Sequence, residues 1–140
     1  MERKEFIKKS CTVCIGLGAG WMLTELAACA HTPIYRTEII DHKVSVPLTS
    51  FATADLQVIS VKGLDYDVAV RKEKENTYSA LLLMCTHFDN ALNSSGSGYT
   101  CSLHGSTYDK NGTVTMGPAE HNLKKYLTSV NETNVIINID

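Results

Sequence analysis

The sequence from about Ile34 onward predicts an all-β domain, a small antiparallel sandwich or barrel. Three observations lead there. Short apolar runs follow one another at close spacing, each bounded by turn residues. Several of these runs alternate polar and apolar side chains, the period of a half-buried strand. Another, Tyr78 to Met84, is apolar almost throughout and suits a strand buried on both faces.

The elements can be taken in order. Lys43-Val44-Ser45-Val46 alternates. Leu56-Gln57-Val58-Ile59-Ser60-Val61 is rich in β-branched residues and stops at Lys62-Gly63. Tyr66 to Arg71 alternates again, with Tyr66, Val68 and Val70 on one face. After the buried run to Met84, the stretch Asn90 to Gly98 reads as a loop, because Asn, Ser and Gly dominate it. Gly98–Cys101 and Ser106–Tyr108 are short strands, and Tyr126–Val130 and Asn134–Ile139 form a hairpin around Asn131-Glu132-Thr133. Leu123 to Tyr126 carries no helix signal.

The chain has 140 residues, enough for one domain, and its 44% hydrophobic content supports a core. The formal charge of −2, with pI near 6.2, excludes a basic nucleic-acid footprint. No internal repeat is present.

Residues 1–28 read as an export signal. Arg3, Lys4, Lys8 and Lys9 precede fifteen uncharged residues, Ser10 to Thr24, and small residues follow. Fifteen residues fall short of the ~20 that span a bilayer as a helix. Leu26-Ala27-Ala28-Cys29 resembles a bacterial lipobox, in which Cys29 is lipidated and becomes the first mature residue. Lipid there would tether the protein to a membrane without a spanning helix. Arg3-Lys4-Glu5-Phe6-Ile7-Lys8 resembles the twin-arginine export motif, with Lys4 in place of its second arginine. Cys11 and Cys14 have C-x-x-C spacing but lie within the apolar signal, and read as small apolar residues. Without residues 1–28 the chain holds 9 basic and 12 acidic residues, so no basic steering selects its partner. Residues 29–35 read as a tether and 36–140 as the folded domain.

Two motifs carry the chemistry: Cys85-Thr86-His87 and Cys101-Ser102-Leu103-His104, thirteen residues apart. Each offers one thiolate and one imidazole from a tight loop. One ion could take all four ligands, and tetrahedral S2N2 suits zinc. Zinc fingers, however, keep their cysteines together and their histidines together. Mixed pairs suit a [2Fe–2S] cluster with two cysteines on one iron and two histidines on the other.

The second motif continues as His104-Gly105-Ser106-Thr107-Tyr108-Asp109, then Gly112, Val114 and Gly117-Pro118-Ala119. With both ligand motifs, residues 36–140 resemble the Rieske iron–sulfur domain. The resemblance implies an antiparallel β-sandwich or barrel with an inserted cluster-binding part at about 84–121. It implies one [2Fe–2S] cluster per chain. Cys85 and Cys101 would hold the inner iron, and His87 and His104 the outer one. Pro118 belongs to the loop that would cover the cluster. Ser106 and Tyr108 match the hydroxyl donors that, in high-potential members, reach a bridging sulfide and a cysteine sulfur. One departure is clear: Asn90 and Leu103 stand where respiratory and photosynthetic members carry a loop disulfide.

The implied reaction is one-electron transfer. The chain is too short for the second, mononuclear-iron domain of a Rieske oxygenase. His31, His42 and His121 are scattered and read as surface histidines, and Asp89 as a turn residue. The resulting expectation is an exported, membrane-tethered carrier or redox subunit, facing the periplasm or cell exterior, that meets a redox protein or membrane complex. The alternatives are a ferredoxin-like donor to an oxygenase and a non-redox binding module on the same fold.

Overall fold

The computed structural model describes residues 34–95 and 97–140. The signal segment 1–28, with Cys11 and Cys14, the lipidation site Cys29 and His31 lie outside the described residues.

Strand β1, Tyr35–Glu38, and strand β2, Lys43–Pro47, are joined by a tight turn. Asp41 and His42 both adopt left-handed backbone, with φ of 50° and 58°. Ile40 and Lys43 exchange two hydrogen bonds of 2.9 Å. This is the geometry of a primed hairpin turn, whose twist suits adjoining strands, and Asp and His enter the left-handed region more readily than most residues. A single 3₁₀ turn, Leu48–Phe51, leads to β3, Leu56–Lys62. β4, Val68–Lys74, and β5, Thr77–Leu82, form an antiparallel hairpin turned at Asn76, which has φ 56°.

The chain then leaves this sheet and forms a meander of four short strands: β6 Leu92–Ser95, β7 Gly98–Cys101, β8 Thr107–Asp109 and β9 Val114–Met116. It returns as β10, Lys125–Val130, which pairs with β5, and ends in β11, Asn134–Asn138. The β10–β11 turn lies where the sequence places it. The Asn131 side-chain oxygen accepts the amides of Thr133 at 3.0 Å and Asn134 at 2.7 Å, an Asx turn.

The large sheet runs β1-β3-β4-β5-β10-β11-β2. Its outermost members, β1 and β2, are the two arms of the Asp41-His42 turn, so the sheet curls into a barrel. Its strands pair antiparallel, apart from β1 with β3, which are parallel. Among the described residues there is no α-helix, and no helix is long and apolar enough to cross a membrane.

Two hydrophobic cores share strands. Val44, Val46, Ile59, Val68, Val70, Ala80, Val135 and Ile137, all at 0% exposure, fill the barrel. On the other face, Ala69 and Leu81 join Leu83, Cys85, Leu92, Tyr99, Cys101, Tyr108 and Leu123 in a second core beneath the meander. This explains the unbroken apolar run at Tyr78 to Met84: Tyr78 and Ala80 enter one core, Leu81 and Leu83 the other. Each fully buried Val, Leu or Ile contributes about 1.5–3 kcal/mol relative to exposure.

Two expectations need correction. The stretch Asn90 to Gly98 contains β6, which pairs with β7 from Leu92↔Cys101 to Ser95↔Gly98. Its Asn and Ser side chains are poor strand formers, but pairing with β7 satisfies the backbone and Leu92 anchors it in the second core. Tyr66 precedes β4, which begins at Val68; its hydroxyl is used elsewhere, as described below.

Gly98 lies opposite Asp109 where β7 pairs with β8. A Cβ there would collide with the Tyr108 carbonyl oxygen. Gly98→Ala should therefore force the two strands apart and lower unfolding free energy by about 1–3 kcal/mol, the usual cost of overpacking. Urea denaturation measures this, and a midpoint equal to that of the unsubstituted protein would contradict the close approach.

Candidate metal centre

The two Cys/His loops close in the same way. In the first, the Cys85 amide donates to the Asn90 carbonyl at 2.8 Å. In the second, the Cys101 amide donates to the Ser106 carbonyl at 2.8 Å. A bridge between Met84 and Ala91 and the Leu92 amide to the Leu83 carbonyl, at 3.0 Å, clamp the base of the first. The second turns through Gly105, whose φ of 78° suits glycine. Its amide reaches back to the Cys101 carbonyl at 3.1 Å. Because Leu92 pairs with Cys101, both loops leave the same end of the meander.

This construction sorts the donors. Cys85 and Cys101, at the loop bases, are each 1% exposed, and both are free thiols. His87 and His104, further along the loops, are exposed. Their ring centroids are 5.3 Å apart with planes inclined at 73°. The Phe88 ring lies 6.4 Å from that of His104 and is 68% exposed.

Hydrogen bonds surround the thiols. Burial by itself pushes the Cys85 thiol up. The Tyr108 hydroxyl, the His87 and Phe88 amides and the Cys101 thiol outweigh that and bring it down to about 7. Tyr108 lies 3.5 Å from Cys85 Sγ and is itself buried. Burial above all, with the nearby sulfur adding to it, raises the phenol above its usual range, so it remains a donor. Its partners define what it donates to. The Thr86 amide donates to the Tyr108 oxygen at 3.1 Å, and the Thr86 hydroxyl donates to the His121 carbonyl at 2.6 Å. The Tyr108 proton is left with two acceptors, Cys85 Sγ and the Thr86 hydroxyl oxygen at 3.1 Å.

Ser106 is fully buried, at 0% exposure. Its hydroxyl oxygen accepts the Ala119 amide at 3.0 Å, which ties the Gly117-Pro118-Ala119 loop to the second cysteine loop. Among the described residues nothing accepts the hydroxyl's own proton. The Gly117–Pro118 bond is cis, and Pro118 and Met116 are exposed.

The structure thus gathers Cys85, His87, Cys101, His104, Ser106, Tyr108 and the Pro118 loop in one place. His42 lies in the β1–β2 turn, and His121 contributes its carbonyl. Three residues outside the expected donor set also contribute. Thr86 joins the first loop to the segment at His121. Tyr66 donates its hydroxyl to the Asp89 carbonyl and so pins that loop to the β3–β4 connection. Asn90 is the third. Thr86 sits inside a ligand motif and could have been noticed there, whereas Tyr66 acts across 23 positions of sequence, for which no local signal exists.

These donors fit a two-iron cluster. A buried thiol pair and an exposed imidazole pair are kept apart, and an inward hydroxyl has a proton to give.

The family model of the Rieske [2Fe-2S] domain matches residues 46–127, more than half of the chain. The chain belongs to the Rieske [2Fe–2S] domain family. The cofactor of a Rieske domain is a [2Fe–2S] cluster, which decides against the single zinc that the four donors also allowed. The Rieske fold is shared with the cyanobacterial plasma membrane Rieske protein PetC3 from Synechocystis PCC 6803, known from its crystal structure. The two chains superpose with a TM-score of 0.57 at 23% sequence identity, over 67% of this chain and 97% of that one. A search of curated proteins returns no match.

Proposed function

We propose that this Rieske protein is a one-electron carrier in which Cys85 and Cys101 hold the inner iron and His87 and His104 the outer iron, tethered to a membrane through lipid on Cys29. One observation carries the redox reading: the two thiols are buried at 1% exposure while the two imidazoles, 5.3 Å apart, face solvent.

When bound, the cluster supplies a one-electron couple that gains one negative charge on reduction. The chain's own residues decide how readily that charge is accepted. The Tyr108 hydroxyl, at 3.5 Å from Cys85 Sγ, stabilises negative charge on that sulfur. The Ser106 hydroxyl, held by the Ala119 amide, has its proton free for a sulfide. Burial of both thiols excludes water from the inner side. The exposed histidine edge, flanked by Phe88, brings the redox centre within reach of a partner protein.

The membrane tether rests on the sequence Leu26-Ala27-Ala28-Cys29 after its uncharged run. Facing the periplasm or cell exterior follows from the same export signal. The electron partner would then be a membrane redox complex or an exported redox protein. A twin-arginine route would suit a protein exported with its cofactor in place.

Three predictions follow from these assignments. His87→Ala and Cys101→Ala should each yield protein without the visible absorption of a [2Fe–2S] centre, and unchanged iron and sulfide content in either would remove the ligand assignment. Ser106→Ala and Tyr108→Phe should each lower the midpoint potential in film voltammetry. A differential of about 1 kcal/mol between redox states corresponds to roughly 40 mV for one electron, so shifts of tens of millivolts are expected from a centre within the Rieske range of about −150 to +300 mV. Equal potentials in all three proteins would refute the tuning role. Cys29→Ser should leave an unprocessed precursor that incorporates no labelled fatty acid, and a wild type that also incorporates none would end the lipid-anchor reading.

A further inference from the structure

Asn90 stands at the junction of the two cysteine loops. Its backbone carbonyl closes the first loop by accepting the Cys85 amide at 2.8 Å. Its side-chain nitrogen donates to the Ala91 carbonyl at 3.0 Å and lies 3.6 Å from Cys101 Sγ. An amide nitrogen carries two protons, so one serves each acceptor. The orientation is also fixed chemically. Were the amide turned over, its oxygen would face a carbonyl oxygen and a sulfur, neither of which could donate once the sulfur is a thiolate. Asn90 is half-buried, so the bond to sulfur is only partly screened by water.

The contacts cross between the loops. Cys85, in the first loop, receives its side-chain donor from Tyr108, which follows the second loop. Cys101, in the second loop, receives its side-chain donor from Asn90, which ends the first. Neither loop has a second cysteine with which to bind the other covalently.

We propose that the Asn90 amide is a positioning and potential-setting donor to Cys101 Sγ, a noncovalent tie between the two cluster loops that favours the reduced state. The inference rests on the ligand assignment proposed above for Cys101. Reduction adds negative charge to the sulfurs, and an N–H pointed at one of them stabilises the reduced form more than the oxidised form. The amide thus acts on the inner iron's second thiolate as Tyr108 acts on its first. The same bond also limits how far the loops can part.

Asn90→Leu removes the donor at similar size. Asn90→Asp keeps the shape but places a carboxylate oxygen, which only accepts, against the sulfur. The full-length protein and both variants would be compared by iron and sulfide content, electron paramagnetic resonance of the reduced state, and midpoint potential. Expected are clusters in both variants, midpoint potentials shifted negative, a larger shift in Asn90→Asp, and altered g values. Amide hydrogen exchange in the Cys101 loop should be faster in Asn90→Leu. Wild-type potential and g values in loaded Asn90→Leu and Asn90→Asp would overturn the inference while leaving the ligand assignment intact. A wild type with no [2Fe–2S] cluster would overturn both. Should Asn90→Leu fail to fold, the isosteric Asn90→Asp decides alone by its potential.

Discussion

Val68–Val70 of β4 and Tyr78–Leu81 of β5 are buried on both faces, and the placement of the metal centre depends on that. Val68, Val70 and Ala80 fill the barrel on one side. Ala69, Leu81 and the following Leu83 support the meander on the other. A strand buried on both sides cannot slip in register without bringing a whole row of side chains onto the wrong face. The first cysteine loop begins where this constrained segment ends, and the Leu83–Leu92 bond clamps its start. Cys85 is therefore held by the core rather than by its own loop. The second loop inherits this placement through β6 and β7, whose register sets Leu92 opposite Cys101.

Burying the Cys85 thiol creates an electrostatic problem that its surroundings resolve. Desolvation disfavours a thiolate, yet the thiolate is the form that binds metal. Hydrogen bonds from Tyr108 and from the His87 and Phe88 amides offset the desolvation at Cys85 and bring it to about 7. The Asn90 side-chain nitrogen lies 3.6 Å from Cys101 Sγ. Each of these donors is itself anchored. The Thr86 amide donates to Tyr108, and Asn90 is committed through its backbone to Cys85 and through its second proton to Ala91. Such interlocking holds donor and sulfur in place before any cofactor arrives, which is the role of the groups that surround metal ligands.

The loops are also tied to the rest of the protein by single bonds over long sequence distances. Tyr66 holds the Asp89 carbonyl, Thr86 the His121 carbonyl, and Ser106 the Ala119 amide. Two separate segments, the β3–β4 connection at Tyr66 and the stretch from Ala119 to His121, thus converge on two short loops that have no covalent link to one another. A hydrogen bond of this kind contributes a net of about 0.5–1.5 kcal/mol. Several together can order loops that have no strand pairing of their own between Thr86 and Asp89 or between Ser102 and Gly105.

The sequence by itself determined the fold class, because polar–apolar alternation and turn residues are local signals that survive without tertiary information. It also presented the candidate donors: Cys85, His87, Cys101 and His104 lie in two motifs whose mixed pairing was visible by spacing. Ser106, Tyr108 and Pro118 were legible only by resemblance to the family. What the tertiary structure decided is what acts between segments. β6 forms from residues with loop composition because β7 is available to pair with it, and Tyr66 leaves its expected strand to reach Asp89. The contacts of Thr86, the anchoring of Ser106 and the reach of Asn90 to sulfur likewise depend on partners many positions away. Local composition encodes how a segment bends and which face it buries. Which hydroxyl or amide ends beside which sulfur depends on how the barrel and the meander pack around their shared strands, and only the folded chain brings those groups together.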